Sequence, residues 1–303
     1  MKRDFLRVSD LSAEEIDRLL KRAIALKAGQ DSNACPLIGK SVGLIFEKAS
    51  TRTRVSFEVG IYQLGAQSIY LTPKDIQIGR GETIHDTAKV LSRYLDAVVM
   101  RTYSHDTVRE FAVHASIPVI NGLSDLHHPC QALGDLMTII EKKGSLNGIR
   151  LAYIGDGNNV ANSLMEAASI TGIRLSIACP KGYEPLRGMR GEFEKRLGDN
   201  VLVVRDPKAA ISGADAIYTD VWVSMGQEEE SIERRRRFGK YQVNSKLLSL
   251  ARPDAIVLHC LPAHRGEEIT DEVIDGRQSV VFDQAENRLH TQKALLEFLL
   301  TKT

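Results

Sequence analysis

Glu47-Lys48-Ala49-Ser50-Thr51-Arg52-Thr53-Arg54 follows Ser41-Val42-Gly43-Leu44-Ile45-Phe46, a short apolar run bounded by Gly39 and Lys40. That run reads as a buried strand. After it, Val55, Val59 and Tyr62, and likewise Phe57, Ile61 and Leu64, recur at helical spacing. Hydroxyls and guanidiniums therefore crowd the point where a strand becomes a helix. First-turn N–H groups are unpaired there and the helix dipole favours an anion. Ser50, Thr51 and Thr53 add hydroxyls, and Arg52 can grip a phosphate bidentately. A plain Ser/Thr N-cap beside a solvated arginine is the bland alternative. Four donor side chains in a row favour a phosphate cradle.

Outward from this stretch, strands and helices alternate, which implies a parallel sheet. Ser12-Ala13-Glu14-Glu15 reads as a capping box opening a helix through Ile24. Ser68–Leu71 is a second strand, and Pro73–Gly81 a polar loop. Ile84–Tyr94 and Val108–Ala115 are helices; Ala97–Met100, ending at Arg101, and Pro118–Asn121 are strands. Pro129 starts a helix that ends at Lys143-Gly144-Ser145, the expected domain boundary. The alternation then restarts: strand Ile149–Ile154, helix Asn159–Thr171, strand Arg174–Ala178 and part of a helix at Gly191–Leu197. Further strands are expected at Val201–Val204, Ala216–Thr219, Ala255–His259 and Ser279–Phe282. A last helix over Gln292–Leu300 is expected to pack back on the first domain.

The 303 residues suggest two domains, and 43% apolar with 26% charged residues is ordinary for a globular chain. A net charge of +1 gives no global pull toward nucleic acid or membrane, so an anion site must be local. The first residues lack an apolar signal core, and no apolar run approaches the ~18 residues of a membrane span. Four cysteines (Cys35, Cys130, Cys179, Cys260) do not suggest a disulfide framework, so a cytoplasmic protein with free thiols is expected.

Gly155-Asp156-Gly157-Asn158-Asn159 after a strand invites a dinucleotide-binding reading. Val160 stands where the third glycine belongs, and Cys179-Pro180 where the ribose-binding acid should end the next strand. A nucleotide-free turn, with Asn159 pointing into an interdomain cleft, fits better. His127-His128-Pro129-Cys130-Gln131 and His259-Cys260-Leu261-Pro262-Ala263-His264-Arg265 hold enough His and Cys for zinc, but neither has its ligand spacing. His127 and His259 read as structural imidazoles. Cys260 ends a strand, where α/β sheets place ligands; a Cys-His nucleophile pair there lacks local support. Asp220-Val221-Trp222-Val223-Ser224-Met225-Gly226 suits a zwitterionic amino acid, and suits a capped loop equally well. Glu230 with Arg234, and Glu233 with Arg237, read as a solvated helix ladder.

Ser50-Thr51-Arg52-Thr53-Arg54, His128-Pro129-Cys130-Gln131 and His259-Cys260-Leu261-Pro262 resemble the carbamoyltransferases. Asp220-x-x-x-Ser224-Met225-Gly226 and His259-Cys260-Leu261-Pro262-Ala263 resemble the ornithine branch of the aspartate/ornithine carbamoyltransferase family. The resemblance covers essentially the whole chain. It implies an α/β fold of two domains, each a parallel sheet flanked by helices, with the active site in the interdomain cleft. Residues 1–144 would bind carbamoyl phosphate, with a C-terminal helix of about 287–303 packing back on them, and residues 145–286 would bind L-ornithine. The implied reaction gives citrulline and phosphate within arginine metabolism, with biosynthesis favoured. It needs no metal or organic cofactor and engages neither nucleic acid nor membrane. Carried over, Ser50, Thr51, Arg52, Thr53 and Arg101 would hold the phosphate. His128, Gln131 and Arg288 would surround the carbamoyl group. Asn159, Asp220, Ser224 and the Met225 backbone would bind ornithine, and Cys260 and the Leu261 carbonyl would face the reacting amine. The family forms trimers or assemblies of trimers, and Gln77 resembles a residue lent to a neighbouring subunit. Related amines (putrescine, N-acetylornithine, aspartate) are the alternative acceptors.

Overall fold

A computed structural model describes residues 2–30, 35–74, 81–185, 200–223 and 228–301. The chain divides into two compact units, Met1–Met137 with Glu286–Thr303, and Thr138–Ala285.

The first unit is built on four parallel strands, β1 (Ser41–Phe46), β2 (Gln67–Leu71), β3 (Ala97–Arg101) and β4 (Val119–Leu123), in the order β2-β1-β3-β4. β1 and β3 are buried along nearly their whole length, as expected for strands covered on both faces. Helices α1 (Ala13–Lys27), α2 (Thr51–Gln63), α3 (Ile84–Leu91), α4 (His105–His114) and α5 (Pro129–Lys143) flank them, the division between units falling within α5. The capping box at α1 is present: Ser12 Oγ accepts from Glu15 N–H, and Glu15 accepts in return from Ser12 N–H. On α2 only Phe57, Ile61 and Leu64 are core. Val55, Val59 and Tyr62, at the same helical spacing, face outward, Tyr62 at 80% exposure.

The second unit carries five parallel strands, β5 (Arg150–Ile154), β6 (Arg174–Ala178), β7 (Val201–Val204), β8 (Ala216–Thr219) and β9 (Ile256–His259), ordered β7-β6-β5-β8-β9. Its helices are α6 (Asn159–Thr171), α7 (Pro207–Ile211), α8 (Ser231–Phe238), α9 (Ser245–Leu248) and α10 (Asp271–Ile274). Its core gathers Ile154, Ile217, Trp222, Phe238, Tyr241 and Val257 among others. The segment Gly191–Leu197 lies outside the described residues.

The expected strand at Ser279–Phe282 is not formed. Ser279 makes one isolated bridge to Val257, and α11 (Val281–Leu300) has begun by Val281. β-branched residues at a helix start imitate a strand in sequence; here Gln284 N–H already closes a helical bond on the Val280 carbonyl. From Glu286 onward α11 belongs to the first unit. There Glu297 pairs with Arg22, Asn287 accepts from Lys27, and Lys293 donates to Gln63.

In each sheet the strand order reverses direction once, between β1 and β3 and between β5 and β8. The crevice beyond the carboxyl ends at such a point is where open α/β sheets hold ligands.

Candidate active site

In the first unit, Glu47 N–H donates to the Arg101 carbonyl at 2.8 Å, tying the ends of β1 and β3 together at the switch point. Ser50 is the N-cap of α2, its hydroxyl accepting from Thr53 N–H at 3.2 Å. Thr53 is fully buried, and its hydroxyl accepts from Arg288 Nη2 at 2.8 Å and, longer, from Arg101 Nη1 at 3.5 Å. Arg101 is placed by a register shift between Met100 and Arg101 at the end of β3, the kind of irregularity that re-aims a side chain. Arg288 reaches Thr53 from α11 across Gly134 of α5, where an added Cβ would lie 3.1 Å from Arg288 Cγ.

His128, buried just ahead of α5, is pushed well below the usual imidazole range by burial and then by the charges of Arg288 and Arg101. It is neutral at pH 7. Gln131 donates to the buried Asp135 at 2.9 Å, while its Oε1 has no hydrogen-bond partner among the described residues. Thr51 is exposed. Arg52, half-buried on the first turn of α2, makes no hydrogen bond or ion pair with a described residue. Arg54 turns away, pairing with Glu58 at 2.9 Å and lying over the Tyr70 ring at 3.6 Å. Of the two guanidiniums in the opening stretch, Arg52 is thus the one left to meet an anion.

In the second unit the switch point joins the ends of β5, β8 and β9. Asp220, buried after β8, accepts from Asn158 Nδ2 at 2.7 Å and from Cys260 Sγ at 2.8 Å. Asn158 also caps α6. His259 is a structural imidazole, as the sequence suggests: Nδ1 accepts from Leu261 N–H at 2.9 Å and Nε2 donates to the buried Glu268 at 3.0 Å. Leu261 follows at φ 54°, a left-handed conformation that costs a side-chain-bearing residue roughly 1–3 kcal/mol. With the thiol on Asp220 and both imidazole nitrogens engaged elsewhere, Cys260 and His259 do not form a nucleophile pair. Asp220, His259 and Cys260 cluster within 4.8 Å, but His259 has no lone pair left for a metal.

The helix ladder reads differently in three dimensions. Glu230–Arg234 and Glu233–Arg237 pair at 2.9 and 2.6 Å as the spacing predicts. Arg234 is not solvated, however: at 6% exposure it reaches Asp156 at 2.9 Å and the Trp222 carbonyl at 3.0 Å. Burial outweighs that partner's pull and raises the Asp156 carboxyl to about 6. The dinucleotide motif is likewise occupied by the chain itself. Gly157 N–H donates to Tyr183 O, and a Cβ on Gly157 would stand 2.2 Å from Pro185 N, so this glycine admits a loop backbone where a pyrophosphate would sit.

The structure therefore brings Thr53, Arg101 and Arg288 together through one hydroxyl, with His128 close enough to feel both charges, and brings Asp220 together with Cys260. Asn159 is the half-buried first residue of α6. Gln77, Ser224 and Met225 lie outside the described residues. Sequence reasoning missed Asn158 and Arg234.

These elements define a two-unit α/β protein with an arginine-lined, anion-suited turn in one unit and a buried carboxylate–thiol pair in the other. The carbamoyl-P binding domain of aspartate/ornithine carbamoyltransferase matches residues 3–141, and the Asp/Orn binding domain of the same family matches residues 147–299. The chain belongs to the aspartate/ornithine carbamoyltransferase family and is an enzyme of the transferase class. An ornithine carbamoyltransferase of Syntrophus aciditrophicus is 53% identical over 302 residues, covering 99% of this chain and 100% of the relative. The solved ornithine carbamoyltransferase of Pyrococcus furiosus is 51% identical, with a TM-score of 0.93 over 99% of this chain and 97% of that one. The anabolic ornithine carbamoyltransferase of Campylobacter jejuni is 42% identical, with a TM-score of 0.92 over 99% of each chain. Among the described residues no helix is long and apolar enough to cross a membrane.

Proposed function

We propose that this chain is an ornithine carbamoyltransferase, converting carbamoyl phosphate and L-ornithine into L-citrulline and phosphate. The observation that carries the choice of ornithine is Asp220. It is a buried carboxylate whose hydrogen bonds among the described residues come from a neutral amide and a thiol. Its charge is left for a cationic substrate, and it would repel an aspartate side chain. The full-length relatives named for ornithine support the same choice.

Ser50, Thr51, Arg52, Thr53 and Arg101 hold the phosphate, helped by the N-terminus of α2. Arg288, His128 and Gln131 surround the carbamoyl group. Gln131 Oε1 suits its amide N–H, and neutral His128 polarises its carbonyl as a hydrogen-bond donor. Asn159, Asp220, Ser224 and the Met225 backbone hold ornithine, with Cys260 and the Leu261 carbonyl facing the reacting amine. That amine has an ordinary pKa of ~10.4, and each unit of lowering is worth about 1.4 kcal/mol. Its nitrogen attacks the carbonyl carbon and the charge gathers on oxygen beside Arg52, His128 and Arg288. The carbon–oxygen bond to phosphate then breaks, and the departing phosphate takes the amine's proton. No metal or organic cofactor enters these steps.

We further propose a homotrimer in which a second copy covers the exposed Val55, Val59 and Tyr62 stripe and lends Gln77 to its neighbour's cradle. The role is biosynthetic, as for the Campylobacter relative, in the cytoplasm, where four free thiols are stable. A product assay offering ornithine, putrescine, N-acetylornithine and aspartate with carbamoyl phosphate tests the reading. Ornithine is expected to give the highest kcat/KM, and a preference for another amine would overturn it.

A further inference from the structure

The turn between β5 and α6 does more than cap a helix. Asn158 Oδ1 accepts from Val160 N–H at 2.9 Å, from Ala161 N–H at 3.2 Å and from the Tyr153 hydroxyl at 3.1 Å. Three donors on one atom identify it as the amide oxygen, which leaves the amide nitrogen no choice of direction. That nitrogen meets Asp220 Oδ2 at 2.7 Å, across the switch-point crevice and from 62 residues away in sequence. Asp220 Oδ1 is held from the other side by Cys260 Sγ at 2.8 Å. The carboxylate is thus clamped between the ends of β5 and β9, one oxygen to each.

The crevice holds a second buried carboxylate, and the two have different partners. Asp156 is paired with a full positive charge on Arg234. Asp220 receives neutral donors, which fix its plane without cancelling its charge. A carboxylate oxygen has room for more than one donor, so each can still take an ammonium hydrogen. We infer that Asn158 is a positioning residue for the amine substrate, acting through Asp220 by fixing the orientation of an uncompensated carboxylate. This inference rests on the reading of Asp220 as an ornithine-binding group.

Tyr153 supports the arrangement. Burial first, and then the nearby Asp220 and Asp156 charges, hold its hydroxyl well above its ordinary range, so it stays protonated and donates to Asn158. The ionisable groups around Asp220 are Tyr153 on β5, Asp156 in the following turn, Arg234 on α8 behind Asp156, and Cys260 with His259 at the end of β9.

Serine separates the two roles of Asn158. It caps helices as well as asparagine but has no second donor to reach Asp220. Asn158→Ser is expected to raise the KM for ornithine about tenfold or more, the scale of one hydrogen bond to a charged group. The KM for carbamoyl phosphate should stay within about twofold, since a purely structural lesion would not separate the substrates. The decisive arm is the double variant. On an Asp220→Asn background Asn158→Ser should cost less than about twofold, because the group it acts through is already neutral. Equal losses on both backgrounds, or an unchanged ornithine KM in the single variant, would overturn the inference. If the serine variant fails to fold, Asn158→Thr carries the same comparison. Wild-type enzyme that does not carbamoylate ornithine would overturn the functional reading itself, an outcome separate from either of these.

Discussion

Replacing Arg234 with Met keeps the side-chain stem and removes the charge that faces Asp156. The wild-type carboxyl already stands at about 6 with its partner present. Its folded value lies above the unfolded ~3.9, so its contribution is fully present below pH ~4 and is lost as pH rises through about 6. By pH 8 that loss is about 3 kcal/mol. Removing Arg234 takes away both influences that lower the Asp156 carboxyl, its charge and its hydrogen bond. If the carboxyl then remains protonated at pH 8, the loss rises to roughly 5–6 kcal/mol. Linkage therefore accounts for about 2–3 kcal/mol of the variant's loss at pH 8, within a total of about 3–5 kcal/mol typical of breaking one side of a buried pair. At pH 5 the carboxyl is mostly protonated in both folded proteins, so the deficit should shrink by about 2–3 kcal/mol. Trp222, the chain's one tryptophan, stacks on Phe238, and its carbonyl accepts from Arg234, so its fluorescence reports on this spot. Urea unfolding at fixed protein concentration, read from Trp222 at both pH values, makes the comparison. A deficit under ~1 kcal/mol with no pH dependence, as for an exposed ladder, would refute the reasoning.

Arg52→Ala should cut turnover by several orders of magnitude while leaving the far-ultraviolet circular dichroism and the melting temperature unchanged. Near-normal steady-state rates in that folded variant would remove the cradle. Cys260→Ser should raise the ornithine KM and displace the pH profile, since the thiol that holds Asp220 Oδ1 is replaced by a shorter and less acidic donor. Mass spectrometry of wild type incubated with carbamoyl phosphate alone should find no adduct at Cys260; a carbamoylated thiol would contradict direct attack by the amine. For the trimer, Gln77→Glu and Arg52→Ala chains mixed after dissociation should regain activity, with roughly a quarter of sites intact under random exchange in a closed ring. Activity no higher than either parent's, with exchange proven, would mean that each site is built from one chain.

The strand–helix alternation and most of its boundaries were legible because buried parallel strands are short continuous apolar runs. The turn after β1 was legible because its hydroxyls and arginine are adjacent in the chain. Asn158 was not, because its capping role is local while its bond to Asp220 exists only once β8 lies beside β5. Arg234 satisfied the ladder spacing and still turned inward; i, i+4 spacing says which residues share a helix face, not whether that face meets water. The same limit applies to α2, where two apolar trios have equal periodicity and only one faces the sheet. At Val281 the local β-branched signal gave way to a helix that ends with its apolar residues in the first unit.

Carbon-13 nuclear magnetic resonance of the reaction between labelled carbamoyl phosphate and L-ornithine tests the central claim most directly. The predicted result is the label moving into the ureido carbon of citrulline, one for each phosphate released, with citrulline formed far more slowly, though still measurably, by Asp220→Asn at matched substrate. Label that collects as carbamate or bicarbonate at the same rate with or without ornithine would contradict it.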